Sequence, residues 1–433
     1  MRQLLISVCT VGLALAGAKA VAYTDPPFPR TGGINMASPY NYDDAAYQAA
    51  LAQLDLMILK TYPGRASWNP AIQAIKKINP NALVFMYVNS NELGEPSVLG
   101  GTTWDAYRNK LDTMKWWLYS SGGSGTRVQS SFGANYYAVN NTPYTPRDSS
   151  GYTSMEWIAR YFVDNYYKNN TSIDGFFMDN TFWKPTIDGD WNRDGKIDSK
   201  SDPASGTRLR QGYATWYTTA RKLMPAGKFQ IGNITTLGET AAVFPEYKGL
   251  LNGGVMEGAI GKSWSVEGYA GWDAMMGRYR KIMASVVAPK LVIFNQWGDP
   301  KDYRAARYGI TSCLMDDGYH SFTDTKKGYT GVVRFDEYNA KLGMPVSTPP
   351  TKAWQSGVYR RDFEGGIALV NPKGNGAKTV TLEADFIALK GTQDPTVNNG
   401  QVVRKVSLQD RDGIILMRKT PVSRPKAPVL ANQ

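Results

Sequence analysis

Between Thr31 and Phe322 the chain repeats one kind of unit, a short apolar run followed by a stretch with helical spacing, and this repetition limits the fold more than any other feature. The runs fall at Gly33–Met36, Leu54–Lys60, Leu83–Asn89, Gly175–Asp179, Phe229–Asn233, Gly254–Glu257, Leu291–Asn295 and Gly318–Phe322. Helical spacing is clearest over Trp104–Tyr119, Met155–Tyr167, Gly212–Met224, Ala270–Val287 and Lys301–Leu314. Such alternation is the mark of βα units. Eight of them over about 290 residues predict an α/β fold of the (β/α)8 TIM-barrel type. A doubly wound open sheet is the main competitor, but no Gly-x-Gly-x-x-Gly follows the first run, which favours the barrel.

The spacing between the third and fourth runs exceeds what one helix needs. Ser120–Gly151, rich in Gly, Ser, Tyr and Asn, predicts a long loop there, either a wall of the barrel mouth or an ornament on the other face. Past the eighth run comes a Pro/Ser/Thr stretch, Pro345–Pro350, and then a change of texture. Short runs at Tyr359–Phe363, Gly366–Asn371, Thr379–Leu382, Val402–Leu408 and Gly413–Arg418, with Gly, Asn and Asp between them, predict a small C-terminal antiparallel β-sandwich. The expected layout is a barrel over 21–344, a linker over 345–358, a β-sandwich over 359–418 and a basic, Pro-rich, disordered tail over 419–433.

Residues 1–20 carry Arg2, an apolar run from Leu4 to Leu15 and the small-residue ending Ala18-Lys19-Ala20. That is a secretory leader, with cleavage expected before Val21 and a secreted or periplasmic destination. It is too short for a span, which needs roughly 20 apolar residues, so no membrane span is expected. Cys9 leaves with the leader, so the mature chain holds one thiol, Cys313, and its stability rests on a large core rather than on disulfides. Loss of Arg2 and Lys19 takes the formal net charge from +12 to +10. The excess is dispersed and lacks a reading motif, so no nucleic acid is expected as a partner. We expect a monomer.

The single histidine, His320, argues against zinc hydrolases, which need two or three, and leaves a Ser-His-Asp triad only one place to stand. Two carboxylates at predicted C-terminal strand ends offer another chemistry. Asp179 closes Ile173-Asp174-Gly175-Phe176-Phe177-Met178-Asp179-Asn180, and Glu257 closes Gly253-Gly254-Val255-Met256-Glu257-Gly258. They sit two strands apart and can face each other across the mouth, as glycosidic cleavage requires of its two carboxyls. Asp174, at the strand's opposite end, reads as a turn residue. Asp316 and Asp317 are rival second carboxyls, although Gly318 beside them suggests a turn. Lys60, Tyr62, Tyr87, Asn89, Asn180, Trp183, Asn233, Asn295, Gln296 and Trp297 form a ring of amides, phenols and indoles suited to sugar hydroxyls, joined by Asp316 and His320 from the last unit. The 26 Tyr and 12 Trp fit stacking on sugar faces as well as a core role.

Behind Asp179 lies Asp188-Gly-Asp190-Trp-Asn192-Arg-Asp194-Gly195-Lys196-Ile197-Asp198, a ladder of the calcium-loop kind. Its twelfth position is Ser201, with Asp202 one place late. Structural calcium at Asp190, Asn192, Asp194, Asp198 and Asp202 is therefore an expectation, weighed against a solvated acidic loop. No cofactor is required for the chemistry.

These motifs together resemble glycoside-hydrolase-like family fifteen of bacterial proteins. The resemblance covers most of the barrel and rests on Asp174–Asn180, the acidic loop behind it and Gly253–Gly258. It implies a barrel glycosidase fold with a carboxylate pair. The arrangement also looks like that of α-galactosidase-type barrels, which implies Asp179 as nucleophile or base and Glu257 as general acid. The expected activity is hydrolysis of O-glycosidic bonds in a polysaccharide or oligosaccharide. A glycan-binding or envelope-associated barrel without turnover is the alternative.

Overall fold

The computed structural model describes residues 23–60, 68–235 and 244–423. The segment expected to be a leader, Tyr62 and most of the basic tail lie outside the described residues. The strands in chain order are β1 (Gly32–Asn35), β2 (Leu56–Leu59), β3 (Leu83–Val88), β4 (Glu92–Gly94), β5 (Tyr136–Ala138), β6 (Gly175–Met178), β7 (Phe229–Asn233), β8 (Gly253–Ile260), β9 (Leu291–Gly298) and β10 (Tyr319–Asp324). Eight of them form one parallel sheet in the order β1-β2-β3-β6-β7-β8-β9-β10. The last strand reaches the first through a parallel bridge between Thr31 and His320, where the His320 amide donates to the Arg30 carbonyl at 2.9 Å. The fold is a (β/α)8 barrel.

Strand residues alternate between two apolar layers, as a period of two demands. Leu56, Ile58, Leu83, Phe85, Phe177, Ile231, Val255, Leu291, Ile293 and Tyr319 fill the barrel interior. Their neighbours Met57, Val84, Phe176, Met256, Val292 and Phe294 face out under the helices. Each apolar run thus buries both faces, and a fully buried Leu, Ile or Phe contributes about 1.5–3 kcal/mol. Strands pack so closely that a Cβ on Gly175 would stand 1.8 Å from the Phe229 carbonyl oxygen.

The helices are α1 (Ala45–Leu51), α2 (Trp68–Ile78), α3 (Thr102–Met114), α4 (Ser154–Phe162), α5 (Pro203–Leu223), α6 (Val266–Ala270), α7 (Trp272–Ser285) and α8 (Tyr303–Leu314). The expected helix Trp104–Tyr119 stops at Met114, because Lys115 takes φ 56° and ends the helix in a left-handed cap. Trp116–Tyr119 then run extended, bridging Val139 and Arg127. The helix expected from Gly212 starts instead at Pro203, with Asp202 as its N-cap and proline at the first position. Among the described residues no helix is long and apolar enough to cross a membrane.

Strands β11 (Tyr359–Asp362), β12 (Gly366–Asn371), β13 (Lys378–Ala388), β14 (Val402–Leu408) and β15 (Asp412–Arg418) make a separate antiparallel sheet, ordered β11-β12-β15-β13-β14. Its two layers come from one sheet that curls, since the β13 register shifts between Thr381 and Phe386 and only its last residues reach β15. One face encloses Ile367, Leu369, Val380, Leu382, Phe386 and Leu408. The other face, with Ala368, Val370 and Ile415, belongs to the barrel's outer core. Arg307 of α8, almost fully buried, fastens the two parts by donating to the Gly413 carbonyl and to Asp394.

Candidate active site

Asp179 lies just past the end of β6, Asn233 ends β7, and Glu257 lies within β8. All three keep the inward parity of Phe177, Ile231 and Val255, so they meet at the C-terminal mouth, where barrel chemistry is placed. The Asn233 side-chain amide joins the two carboxylates, donating to Asp179 Oδ1 at 3.1 Å and to Glu257 Oε2 at 2.9 Å. Its orientation is fixed by a proton chain. The Glu257 amide donates to Thr235 Oγ1 at 2.7 Å, so the Thr235 hydroxyl proton is left to donate to Asn233 Oδ1, 2.9 Å away. The two carboxylate oxygens that share this nitrogen can stand no farther apart than the two bonds laid end to end, about 6 Å.

Each carboxylate also takes a phenol. Tyr87 donates to Asp179 Oδ2 at 2.6 Å, and Tyr329 donates to Glu257 Oε1 at 2.6 Å. The Asn180 backbone amide adds a third donor, 2.8 Å from Asp179 Oδ1. Burial pushes the Asp179 carboxyl above its ordinary range. The bonds from Tyr87 and Asn233 oppose that push, the negative charge of Glu257 adds to it, and the Asn180 amide opposes it again. Burial and the facing carboxylates hold the phenols of Tyr87 and Tyr329 well above their usual range, so both remain donors. Among the described residues no lysine or arginine forms an ion pair with Asp179 or Glu257.

A third carboxylate stands beside the pair. Glu92, in β4, accepts from Asn89 Nδ2 at 2.6 Å, from Ser130 Oγ at 3.2 Å and from Asn180 Nδ2 at 3.4 Å. Burial raises its pKa, and nearby Asp179 raises it further, while Asn89 and Ser130 pull it down. Ser130 belongs to the Ser120–Gly151 insertion, and Tyr136–Ala138 of that insertion pairs with β4. The insertion therefore walls the mouth. Asn180 carries a positive φ of 54°, a strained position for a non-glycine residue, and Asn91 and Tyr213 hold it there by donating to its carbonyl at 3.0 and 2.8 Å.

The Glu257 side is built with equal care. Gly258 takes φ +53°, and a Cβ there would lie 2.5 Å from the Trp264 ring, so both conformation and space require glycine. The Gly258 amide donates to Asn295 Oδ1 at 3.0 Å inside the barrel. From Glu257 an open cleft of about 390 Å³ runs past Asn233, Thr235 and Gly258 to Trp264, Tyr269 and Arg278.

Of the expected ring, Tyr87, Asn180, Asn233 and Asn295 gather around the carboxylates. Asn89 joins through Glu92, and Trp297 joins by packing edge-on against Tyr329 at 4.9 Å. Trp183 stacks on Phe244 instead. Lys60 follows β2 as an exposed residue whose backbone amide bonds Asn35. Three expectations are corrected. His320 and Gln296 have outward parity: His320 Nε2 and Gln296 Oε1 meet at 3.2 Å beneath Gly309 of α8, and Tyr338 occupies His320 Nδ1 at 2.7 Å. Burial there lowers the His320 pKa to about 3, so the ring is a neutral core group. Asp316 precedes β10, at the opposite end of the barrel from the mouth, where its Oδ1 accepts the Asp317 amide at 2.8 Å. Glu92, Thr235, Tyr329, Trp264 and Tyr269 were not anticipated.

In the acidic loop, Asp190 accepts from the amides of Asp194 and Gly195, and Asp198 accepts from those of Trp191 and Asn192 and from Arg208. Asn192 Nδ2 donates to Asp194, and Asp202 caps α5 rather than joining the ladder. Among the described residues no group of three or more His, Cys, Asp or Glu is arranged to hold a metal ion, so the arrangement lends the calcium expectation no support.

Several solved structures are similar in overall shape. An uncharacterized protein from Listeria monocytogenes EGD-e, solved with α-D-glucose, β-D-glucose, magnesium and calcium, is 10% identical with a TM-score of 0.46, over 91% of this chain and 41% of that one. The cycloalternan-degrading enzyme from Trueperella pyogenes is 9% identical, TM-score 0.43, over 90% and 62%. The endo-β-1,4-mannanase from Thermotoga petrophila is 11% identical, TM-score 0.43, over 93% and 100%. The chain thus spans less than two thirds of the first two proteins. No curated protein is similar to it. The match to hypothetical glycosyl hydrolase family 15 runs over residues 76–367, from α2 through the outer barrel into β12, and the chain belongs to that family.

Proposed function

We propose that the protein is an exported glycoside hydrolase that cleaves O-glycosidic bonds of a polysaccharide or oligosaccharide with retention of configuration. The observation that carries this reading is the Asn233 amide shared by Asp179 and Glu257. Two carboxyls close enough to share one amide suit a nucleophile and an acid/base working on one bond, for which roughly 5–5.5 Å is usual, whereas inversion needs roughly 6.5–9.5 Å to admit a water. Membership of a glycosyl hydrolase family supports the same class of reaction.

In this reading Asp179 attacks the anomeric carbon while the C–O bond to the leaving group breaks, and Glu257 gives its proton to the departing oxygen. Glu257 then takes a proton from water, whose oxygen displaces Asp179 and frees the sugar. Three donors on Asp179, two of them N–H groups that cannot accept a proton, favour the carboxylate form a nucleophile needs. Two carboxylates and water account for the whole cycle.

The test is purified mature protein incubated with aryl glycosides and with soluble starch, dextran, galactomannan, β-glucan and xylan, products being resolved by chromatography. We expect cleavage of at least one. Retention of a glycan without cleavage of any would favour a binding protein instead. Export predicts a mature N-terminus at Val21, which N-terminal sequencing of secreted protein checks.

A further inference from the structure

Trp264 and Tyr269 are large aromatic side chains left 47% and 60% exposed, and both line the cleft that begins at Glu257. Exposed aromatics on a protein surface are commonplace singly, but two in one cleft that begins at Glu257, one of the paired carboxylates, are a different matter. Both are also held. The tip of the Trp264 ring rests over Gly258, the residue next to Glu257, at a spot where any side chain would collide with it. Ser265, fully buried, ties the segment down by donating from Oγ to the Gly258 carbonyl at 2.6 Å while accepting the Lys262 amide at 2.8 Å. The Tyr269 hydroxyl accepts from Arg278 at 2.9 Å. A ring whose position is fixed before a ligand arrives loses little conformational freedom when the ligand stacks on it.

We infer that Trp264, with Tyr269 beside it, is the platform for the sugar ring on the leaving-group side of the scissile bond. The inference rests on the hydrolase reading above and adds to it a direction and a substrate class. The group that protonates a leaving oxygen must stand next to the sugar that departs with it. Trp264 is built onto the residue that follows Glu257, so a pyranose stacked on the indole lies on the Glu257 side of the bond and not on the Asp179 side. The departing group is therefore a sugar with an apolar C–H face, as in the interior of a glycan chain, rather than a small alcohol. Flat aromatic surface fits a neutral pyranose face, with Arg278 and the Tyr269 hydroxyl at its edge to bond hydroxyls.

The test has two readouts. In native gels containing soluble starch, dextran, galactomannan, β-glucan or xylan, the wild type is retarded by at least one polymer. Trp264→Ala weakens that retardation at least tenfold, Trp264→Phe restores most of it, and Tyr269→Ala weakens it less. The second readout compares an oligosaccharide cut from that polymer with the glycosyl fluoride of its released sugar, since fluoride leaves without occupying a sugar site. Trp264→Ala lowers kcat/KM at least tenfold more on the oligosaccharide than on the fluoride, chiefly through KM. Equal losses on both would overturn the leaving-side placement, and so would a wild type retarded by no polymer or a Trp264→Ala variant retarded as strongly as wild type. Wild-type retardation without any cleavage would remove hydrolysis and the leaving-side placement with it, leaving Trp264 a glycan platform only; cleavage with unaltered retardation in Trp264→Ala would remove the platform and leave hydrolysis standing.

Discussion

Asp174 and Asp317, at the N-terminal end of the barrel, are held in the opposite way to the carboxylates at its mouth. At the N-terminal end Asp174 accepts Lys76 Nζ at 2.6 Å together with the Val84 amide, and Asp317 pairs with the buried guanidinium of Arg361. At the C-terminal end Asp179, Glu257 and Glu92 are held by phenols, amides and a hydroxyl, and among the described residues none of them has a cation. A cation holds a carboxylate in its ionised form, so that it carries no proton to give. Neutral donors orient it and leave its charge, and its proton, available. The difference separates Asp174 and Asp317, which tie strands and helices together, from the carboxylates we propose to react.

The largest expected effect comes from the mouth. Asp179→Asn and Glu257→Gln keep shape but can neither attack nor shuttle a proton, and each should lower turnover by about a thousandfold or more, several kcal/mol of transition-state stabilisation. They should differ in character: Glu257→Gln spares substrates with activated aryl leaving groups, which need little protonation, whereas Asp179→Asn spares none. Steady-state kinetics on an aryl and an alkyl glycoside of one sugar reads this, with circular dichroism to confirm the fold. A folded variant within tenfold of wild type on both would take that residue out of the mechanism.

The opposite end predicts the opposite phenotype. Asp174→Asn leaves Lys76 without its partner in a largely covered site, and we expect a loss of about 1–3 kcal/mol in urea unfolding. Turnover per folded molecule should stay within twofold. A turnover defect without a stability loss would break the contrast between the two ends.

Tyr87→Phe sharpens it further. The Tyr87 bond is one of those that hold the Asp179 pKa down, so its removal sends that pKa higher still. If Asp179 must be ionised to attack, the acid limb of the kcat/KM profile moves to higher pH and the plateau drops by about tenfold. An unmoved acid limb would detach Tyr87 from the ionisation of Asp179.

Much of this was legible in the sequence, and the failures have physical causes. Each of the eight runs became a strand because runs buried on both faces are apolar throughout, and Asp179 and Glu257 stood out as charges closing such runs. Nearness to a strand end does not bring His320 and Gln296 to the mouth, because parity decides the face: counted from Tyr319 and Asn295, each falls one residue onto the outer side. Asp316 was misplaced because it precedes its strand rather than following it. Glu92, in the three-residue strand β4, and Tyr329, in a loop, carry no periodic signal, since both reach the mouth from beyond the ends of β3 and β10. The start of α5 was readable in Asp202-Pro203, a cap followed by proline, but the same aspartate had been assigned to the calcium ladder.

The claim on which the account turns is that Asp179 forms a bond to the sugar. A 2-deoxy-2-fluoro glycoside of the sugar released by the wild type slows both steps and lets a glycosyl-enzyme accumulate. Digestion with trypsin and fragmentation of the peptide spanning residues 169–193, which holds both Asp174 and Asp179 because the Lys184–Pro185 bond resists cleavage, then locates the added mass. The account predicts one sugar per protein, attached at Asp179, and first-formed product that keeps the anomeric configuration of the substrate. An adduct on Glu257, or no adduct together with inverted product, would contradict it.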